Sequence, residues 1–182
     1  MSFNIRRAQP EDADAACRVL RRSIEECCAD DHKRDPKILS AWLANKTPEN
    51  VGLWFGSTGY AVLAERAGGI VGVAMLSGSG SVVLNYLISE ARYQGIGRAM
   101  LAALETEALQ RGFSKIELTS TATAHQFYLR NGYSDTGTNG SAFGMSAPGM
   151  VKTIGVAAVS NQSSEPTFAS VTPPAGQESR PR

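Results

Sequence analysis

Residues 81 to 111 pass from an apolar stretch, SVVLNYLIS, through ARYQGIGRAML into a helical pattern, and this passage limits what the chain can become. Gly95 and Gly97 sit one residue apart between Arg92 and Arg98. Ile96, Met100, Leu101, Leu104 and Leu109 then recur at helical spacing, up to Gly112 as a C-terminal cap. The first amides of a helix have no intrahelical acceptor, and the helix dipole adds partial positive charge there. Glycine permits unusual φ values and, having no Cβ, lets an anion approach the amides of Gln94, Gly95, Ile96 and Gly97 closely. The passage therefore predicts a phosphate site, with Arg92 and Arg98 adding charge at its rim. A Rossmann fingerprint is excluded because residue 100 is Met where a third glycine is needed, and no Walker A pattern is present. What remains is a phosphate-bearing cofactor of another kind.

Any such site must be local. Eighteen basic and seventeen acidic residues leave a formal charge of +1, which argues against a broad hold on nucleic acid or an anionic membrane. Cys17, Cys27 and Cys28 lie in one predicted helix with no metal-like spacing and no second cluster, so they read as reduced thiols of a cytoplasmic protein. No metal is implied. No run approaches the ~20 apolar residues of a membrane span, and the start MSFNIRRAQPED lacks the apolar core of a signal peptide.

The rest of the pattern is mixed. FNIRRA predicts a strand, QPEDADAACRVLRRSIEECCADD an amphipathic helix, and DPKILSAWLANK a second helix opened by Asp35 and Pro36. VGLWF is read as a short strand. YAVLAER and IVGVAML predict strands joined by AGG, a hairpin-sized turn whose Gly68 and Gly69 tolerate positive φ, and SVVLNYLIS the next strand. SKIELTS is a strand, TATAHQFYLRNGY a helix ending at Asn131 and Gly132, and GMVKTIGV a final strand, with room for one more. Residues 157–182 are rich in Ser, Pro, Gln and Ala and predict a disordered tail behind a single domain of residues 1–156.

Arg92, Gly95 and Gly97 match the pattern R/QxxGxG/A, and AHQFYLRNGY matches AxxFYxxxGF. Together, in this order and over residues 3 to about 155, the chain resembles the GNAT superfamily of N-acetyltransferases. The resemblance implies an α/β (α+β) fold: a mixed, mostly antiparallel sheet with a central splay, flanked by about four helices. It implies acetyl-coenzyme A as co-substrate. Its pyrophosphate would sit on Arg92, Tyr93, Gln94, Gly95, Ile96, Gly97 and Arg98, and its pantetheine arm in a wedge beside the strand end Leu87, Ile88 and Ser89. A pantetheine amide imitates a peptide and can pair with exposed backbone near Leu87. A backbone N–H there would polarise the acetyl carbonyl.

The resemblance also assigns chemistry to side chains. Tyr128 occupies the position whose phenol serves as general acid toward the departing thiolate. Relatives that use a strand glutamate as base have no counterpart in SVVLNYLIS, where Asn85 is the candidate for orienting a water or the amine. Glu117, on the neighbouring strand, is a weaker candidate base. Thr121 stands where many relatives carry an Asn that contacts the cofactor; helix capping is the competing role for it and for Thr123. His125 reads as a surface or packing residue with a minor proton-relay role. Asp30, Asp31, His32 and Trp42 fall in the segment that would roof the acceptor site, where a solvated charge cluster and a packing tryptophan are the simpler reading. The expected function is acetyl transfer to a primary amine of a small molecule or a protein, in a ternary complex. A catalytically weak coenzyme A-binding module is the alternative, motivated by the missing carboxylate. Open sheet edges point to a homodimer.

Overall fold

The computed structural model describes residues 2–142 and 145–155, so the predicted tail at 157–182 lies outside the described residues. Strand β1 (Asn4–Arg7) leads through a 3₁₀ turn at Pro10–Asp12 into α1 (Ala13–Cys27). The turn is held by Arg6, whose guanidinium grips both oxygens of Asp12 at 2.7 and 2.8 Å. The long first helix of the sequence reading breaks at Cys28, whose φ of −109° and ψ of 23° leave the α region, and resumes as a single turn, α2 (Ala29–His32). Helix α3 (Pro36–Leu43) begins as expected: Asp35 accepts from the Lys37 amide at 2.7 Å and Pro36 takes the first position.

VGLWF is not a strand. It belongs to α4 (Pro48–Phe55), where Thr47 accepts from Asn50 N, Pro48 opens the helix, and Val51 and Phe55 bury one face at a spacing of four. The capping signal TPEN outweighs the β-branched and aromatic content that follows it. Next come β2 (Tyr60–Arg66), β3 (Gly69–Leu76) and β4 (Ser81–Leu87). Positive φ falls on Ala67 and Gly68, at 52° and 79°; Gly69 already belongs to β3 and pairs with Arg66. A two-residue hairpin of the primed type needs positive φ at its two central residues, and the register places Ala67 there in place of Gly69.

Helix α5 (Ile96–Gln110) crosses from β4 to β5 (Lys115–Thr119), and α6 (Ala122–Arg130) precedes β6 (Ser134–Ala142) and β7 (Met145–Thr153). Both helices end in αL glycines. Phe113 N reaches back to Ala108 O at 3.0 Å, with Gly112 at φ 83°, and Tyr133 N to Tyr128 O at 3.1 Å, with Gly132 at φ 87°. The seven strands form one sheet in the order β1-β2-β3-β4-β5-β7-β6. Every pairing is antiparallel except β4 with β5, and that one holds for two residue pairs, Ser81 with Glu117 and Val82 with Leu118. Beyond Val82 the two strands separate.

Alternation sorts the side chains onto two cores. Val62, Ala64, Ala74 and Leu76 pack with Met100, Leu101 and Leu104 of α5. Leu63, Val73, Met75 and Leu84 face α1 and α4 on the other side of the sheet. No helix among the described residues is long and apolar enough to cross a membrane. Leu104 is fully buried at the centre of the α5 core. Leu104→Ala should cost about 2–5 kcal/mol in urea unfolding, since the sheet behind it cannot collapse into the space.

Candidate functional site

The open edge of β4 is set by its pairing to β3. Register places Tyr86 opposite Val73 and Leu87 opposite Gly72, and Ile88 N donates to Val71 O at 3.1 Å. In an antiparallel ladder the bonding residues alternate, so Tyr86 and Ile88 are committed to β3 while Asn85 and Leu87 turn their backbone groups toward the gap. Of the strand-end residues named from sequence, Leu87 thus offers a free amide, although its carbonyl takes the Cys27 thiol at 3.7 Å. Ile88 does not. Ser89 faces elsewhere, donating to Glu26 at 2.7 Å, and Arg22 links Glu26 to Glu90, so the approach to the glycine turn is tethered to α1.

The turn itself has the predicted shape. Tyr93 and Gly95 take positive φ of 60° and 80°, no side chain caps the helix, and the first intrahelical bond runs from Ala99 N to Gly95 O. The amides of Ile96, Gly97 and Arg98 have no acceptor within the helix. Gly97 is a cradle: a Cβ there would stand 3.3 Å from Leu87 Cδ1 and 3.5 Å from Phe127, so a methyl barely fits and a larger side chain does not. Arg92 lies 5.0 Å over the exposed ring of Tyr93, and Arg98 is exposed. Gln94 is held from both sides, donating to Glu90 O and accepting from Arg66. Arg66 is a charge at this loop that no local pattern reveals, because it comes from the end of β2, 28 residues before Gln94. Helix-start amides without intrahelical acceptors, with arginines close by, suit a diphosphate.

Between this turn and the parting strands stands Tyr128. It is buried on α6, in edge contact with Phe127 and Tyr133 at ring separations of 5.2 and 5.6 Å. Burial pushes its phenol up to about 12, opposed by the Asn85 side chain in hydrogen-bonding reach. The two side chains singled out for chemistry, one on a strand and one on a helix 43 residues later, therefore meet. Thr121 caps α6, accepting from Ala124 N at 3.3 Å, which leaves its hydroxyl proton to donate. Glu117 is exposed and paired with Lys115 at 2.5 Å, and His125 pairs with Asp135 at 2.7 Å.

On the roof side, the gap between β4 and β5 opens into a cavity of about 630 Å³ lined by Asp31, Trp42, Tyr86, Ser120 and Thr121 among others. Tyr86 is raised above the ordinary tyrosine range by burial, with the Trp42 indole as a hydrogen-bond partner acting against that shift. Cys28 is likewise held up at about 12 by burial and by the nearby Asp31 charge, which keeps it a thiol and removes it as a nucleophile.

An acetyltransferase (GNAT) domain model matches residues 45–154. No curated protein sequence matches the chain significantly. Among solved structures, a GCN5-related N-acetyltransferase from Rhodopseudomonas palustris is 24% identical over 84% of this chain and 96% of its own, with a TM-score of 0.75. PaiA N-acetyltransferase from Thermoplasma acidophilum, solved in complex with coenzyme A, is 19% identical over 84% of this chain and 99% of its own, with a TM-score of 0.73. YncA from Salmonella typhimurium, solved with acetyl-CoA, is 17% identical over 89% and 99%, with a TM-score of 0.64. At these identities the likeness is one of fold.

Burial of Tyr128 also has a measurable consequence for stability. An unfolded tyrosine titrates near 10, so a folded value of about 12 favours the native state fully below pH ~10, and that contribution is lost as pH rises to about 12. Urea unfolding from pH 9 to 11.5 should show a decline that is shallower in Tyr128→Phe, the difference reaching about 2 kcal/mol at the upper end.

Proposed function

The chain belongs to the GNAT acetyltransferase family, with acetyl-coenzyme A as co-substrate, and from that premise we propose that it transfers acetyl directly to a primary amine in a ternary complex. The observation that carries the proposal is the junction of three features: the amide edge of β4 facing the gap, the uncapped N-terminus of α5 at one end of it, and Tyr128 with Asn85 beside it. A binding module needs the first two. The phenol held between strand and helix favours catalysis over the weak-module reading.

In this proposal the amides of Gln94 to Arg98 receive the diphosphate, with Arg92, Arg98 and Arg66 adding charge, and Tyr93 shields the rim. Leu87 N–H pairs with the pantetheine arm, while Ile88 and Ser89 contribute by holding the strand end in place. Thr121 retains a hydroxyl proton for the cofactor. Acetyl-coenzyme A supplies an activated acyl group and a thiolate leaving group. A thiol titrates near ~8.5, so full proton transfer from a phenol at about 12 is uphill by roughly 5 kcal/mol. Tyr128 therefore serves best as a hydrogen-bond donor that follows the sulfur as charge develops, with the proton moving late. Asn85 both supports the phenol and presents an amide to the acceptor or to a water that takes its proton. The domain is proposed to span residues 1–156. Unpaired Cys17, Cys27 and Cys28 support a cytoplasmic setting, and the open edges at β1 and β6 support a homodimer.

Calorimetric titration with acetyl-coenzyme A, followed by an amine screen that reads free thiol, tests the proposal. Cofactor binding without thiol release for any amine returns the weak-module reading. Gly97→Leu should abolish detectable cofactor binding, since its side chain would occupy the space beside Leu87 and Phe127. Tyr128→Phe should lower kcat by about 10- to 150-fold, the value of one hydrogen bond to a charged group, with KM for acetyl-coenzyme A nearly unchanged. A loss well above 10³-fold would instead indicate complete proton transfer by the phenol in the rate-limiting step.

A further inference from the structure

Asp31 carries a buried carboxylate oxygen that acetyl transfer, as described above, leaves unused. Its Oδ1 accepts from Thr123 N at 3.1 Å, in the first turn of α6. That bond satisfies one of the helix's orphan amides from outside, and the helix dipole favours a negative group there. The side chain is thereby fixed across the gap between α2 and α6. Its other oxygen, Oδ2, is shielded from solvent and has no hydrogen-bond partner among the described residues. A carboxylate oxygen in that state is costly, and a cation supplied from outside relieves the cost.

The surroundings say which cation. Asp31 lines the cavity on the roof side, together with the rings of Trp42 and Tyr86. The described lining contains no Lys or Arg; its other charged member is Glu117, whose partner Lys115 stands on the same strand. Ser120, Thr121 and further hydroxyls complete the wall. Negative charge, aromatic faces and hydroxyls suit an ammonium, while an acceptor carrying its own carboxylate would find two carboxylates and no cation in the lining.

Resting on the acetyl-transfer reading, we propose that the Asp31 carboxylate, at the cavity wall, anchors the ammonium of the acceptor and restricts acceptors to amines that carry no carboxylate of their own, so that free amino acids are rejected. Asp31 is in this sense a specificity-determining residue, distinct from the donors that serve the thioester. Its bond to Thr123 ties the anchor to the helix that carries Tyr128.

The test is binding, followed by amide NMR shifts of the full chain at pH 7, with n-butylamine and 1,4-diaminobutane as probes, 1-butanol as the neutral control and 4-aminobutanoate as the carboxylate-bearing one. The expected result is saturable shifts centred on Asp31 and Thr123 with both amines, and at least tenfold weaker binding of the alcohol and of 4-aminobutanoate. Asp31→Asn keeps an oxygen for Thr123 N and replaces Oδ2 by a donor. It should weaken amine binding by about 10- to 150-fold with the melting temperature not lowered and acetyl-coenzyme A affinity unchanged. Wild-type amine affinity in Asp31→Asn, equal binding of amine and alcohol, or no amine binding by the wild-type protein would each overturn the anchor. If the Asn variant does not fold, the wild-type comparison of the four probes decides alone. Acetyl-coenzyme A is titrated separately, so failure of cofactor binding counts against the acetyl-transfer reading and leaves the amine result to judge Asp31.

Discussion

The parting of β4 from β5 is the constraint on which the rest of the molecule depends. A parallel pair normally continues for the length of its strands, because each unmade backbone bond in a sheet interior is costly. Here pairing stops at Val82 and Leu118. The remaining backbone of β4 is left with amides on one side only, which a ligand with peptide-like groups can complete. The same parting sends Ser120 N to Pro148 O, so that β5 leans toward β7 and the cavity opens below the roof.

Three elements keep that opening from closing. Arg22, Glu26, Ser89 and Glu90 tether the end of β4 to α1, so the strand cannot swing toward β5. Asp31 ties the short α2 to α6 across the other end. Beneath, Leu87 and Phe127 sit against the missing side chain of Gly97, which lets α5 start close to the strand. The geometry is thus built by surface polar contacts at the rim and by close packing at the floor. The floor carries more of the energy, since exposed ion pairs contribute little.

Much of this was legible in the residues. The glycine turn, the cap at Asp35 and the αL glycines at 112 and 132 follow from local chemistry, and each appears at its expected position. Where local signals compete, the reading fails for definable reasons. VGLWF has strand-like residues behind a helix-starting TPEN, and the cap prevails. In the AGG turn both glycines tolerate positive φ, and the register across the hairpin, which pairs Arg66 with Gly69, puts the left-handed residues at Ala67 and Gly68. SDTGTNGSA, β6, lacks apolar alternation and is a strand by virtue of pairing with β7. Arg66 at the glycine turn and Asp31 at α6 depend on contacts 28 and 92 residues apart, and no local pattern encodes them.

The register of β4 has a further reach. Asn85 turns toward α6 and Tyr86 toward the roof, and a bulge between Met75 and Leu76 sets which of them goes where. Side chains alternate along a strand, so adding or removing one residue in the Ser77–Gly80 connection would exchange the two faces. The protein would still close its sheet, but with a phenol where the amide belongs. Length variation in that short surface loop, normally the most permissive place in a domain, is therefore as restricted here as substitution in the site itself.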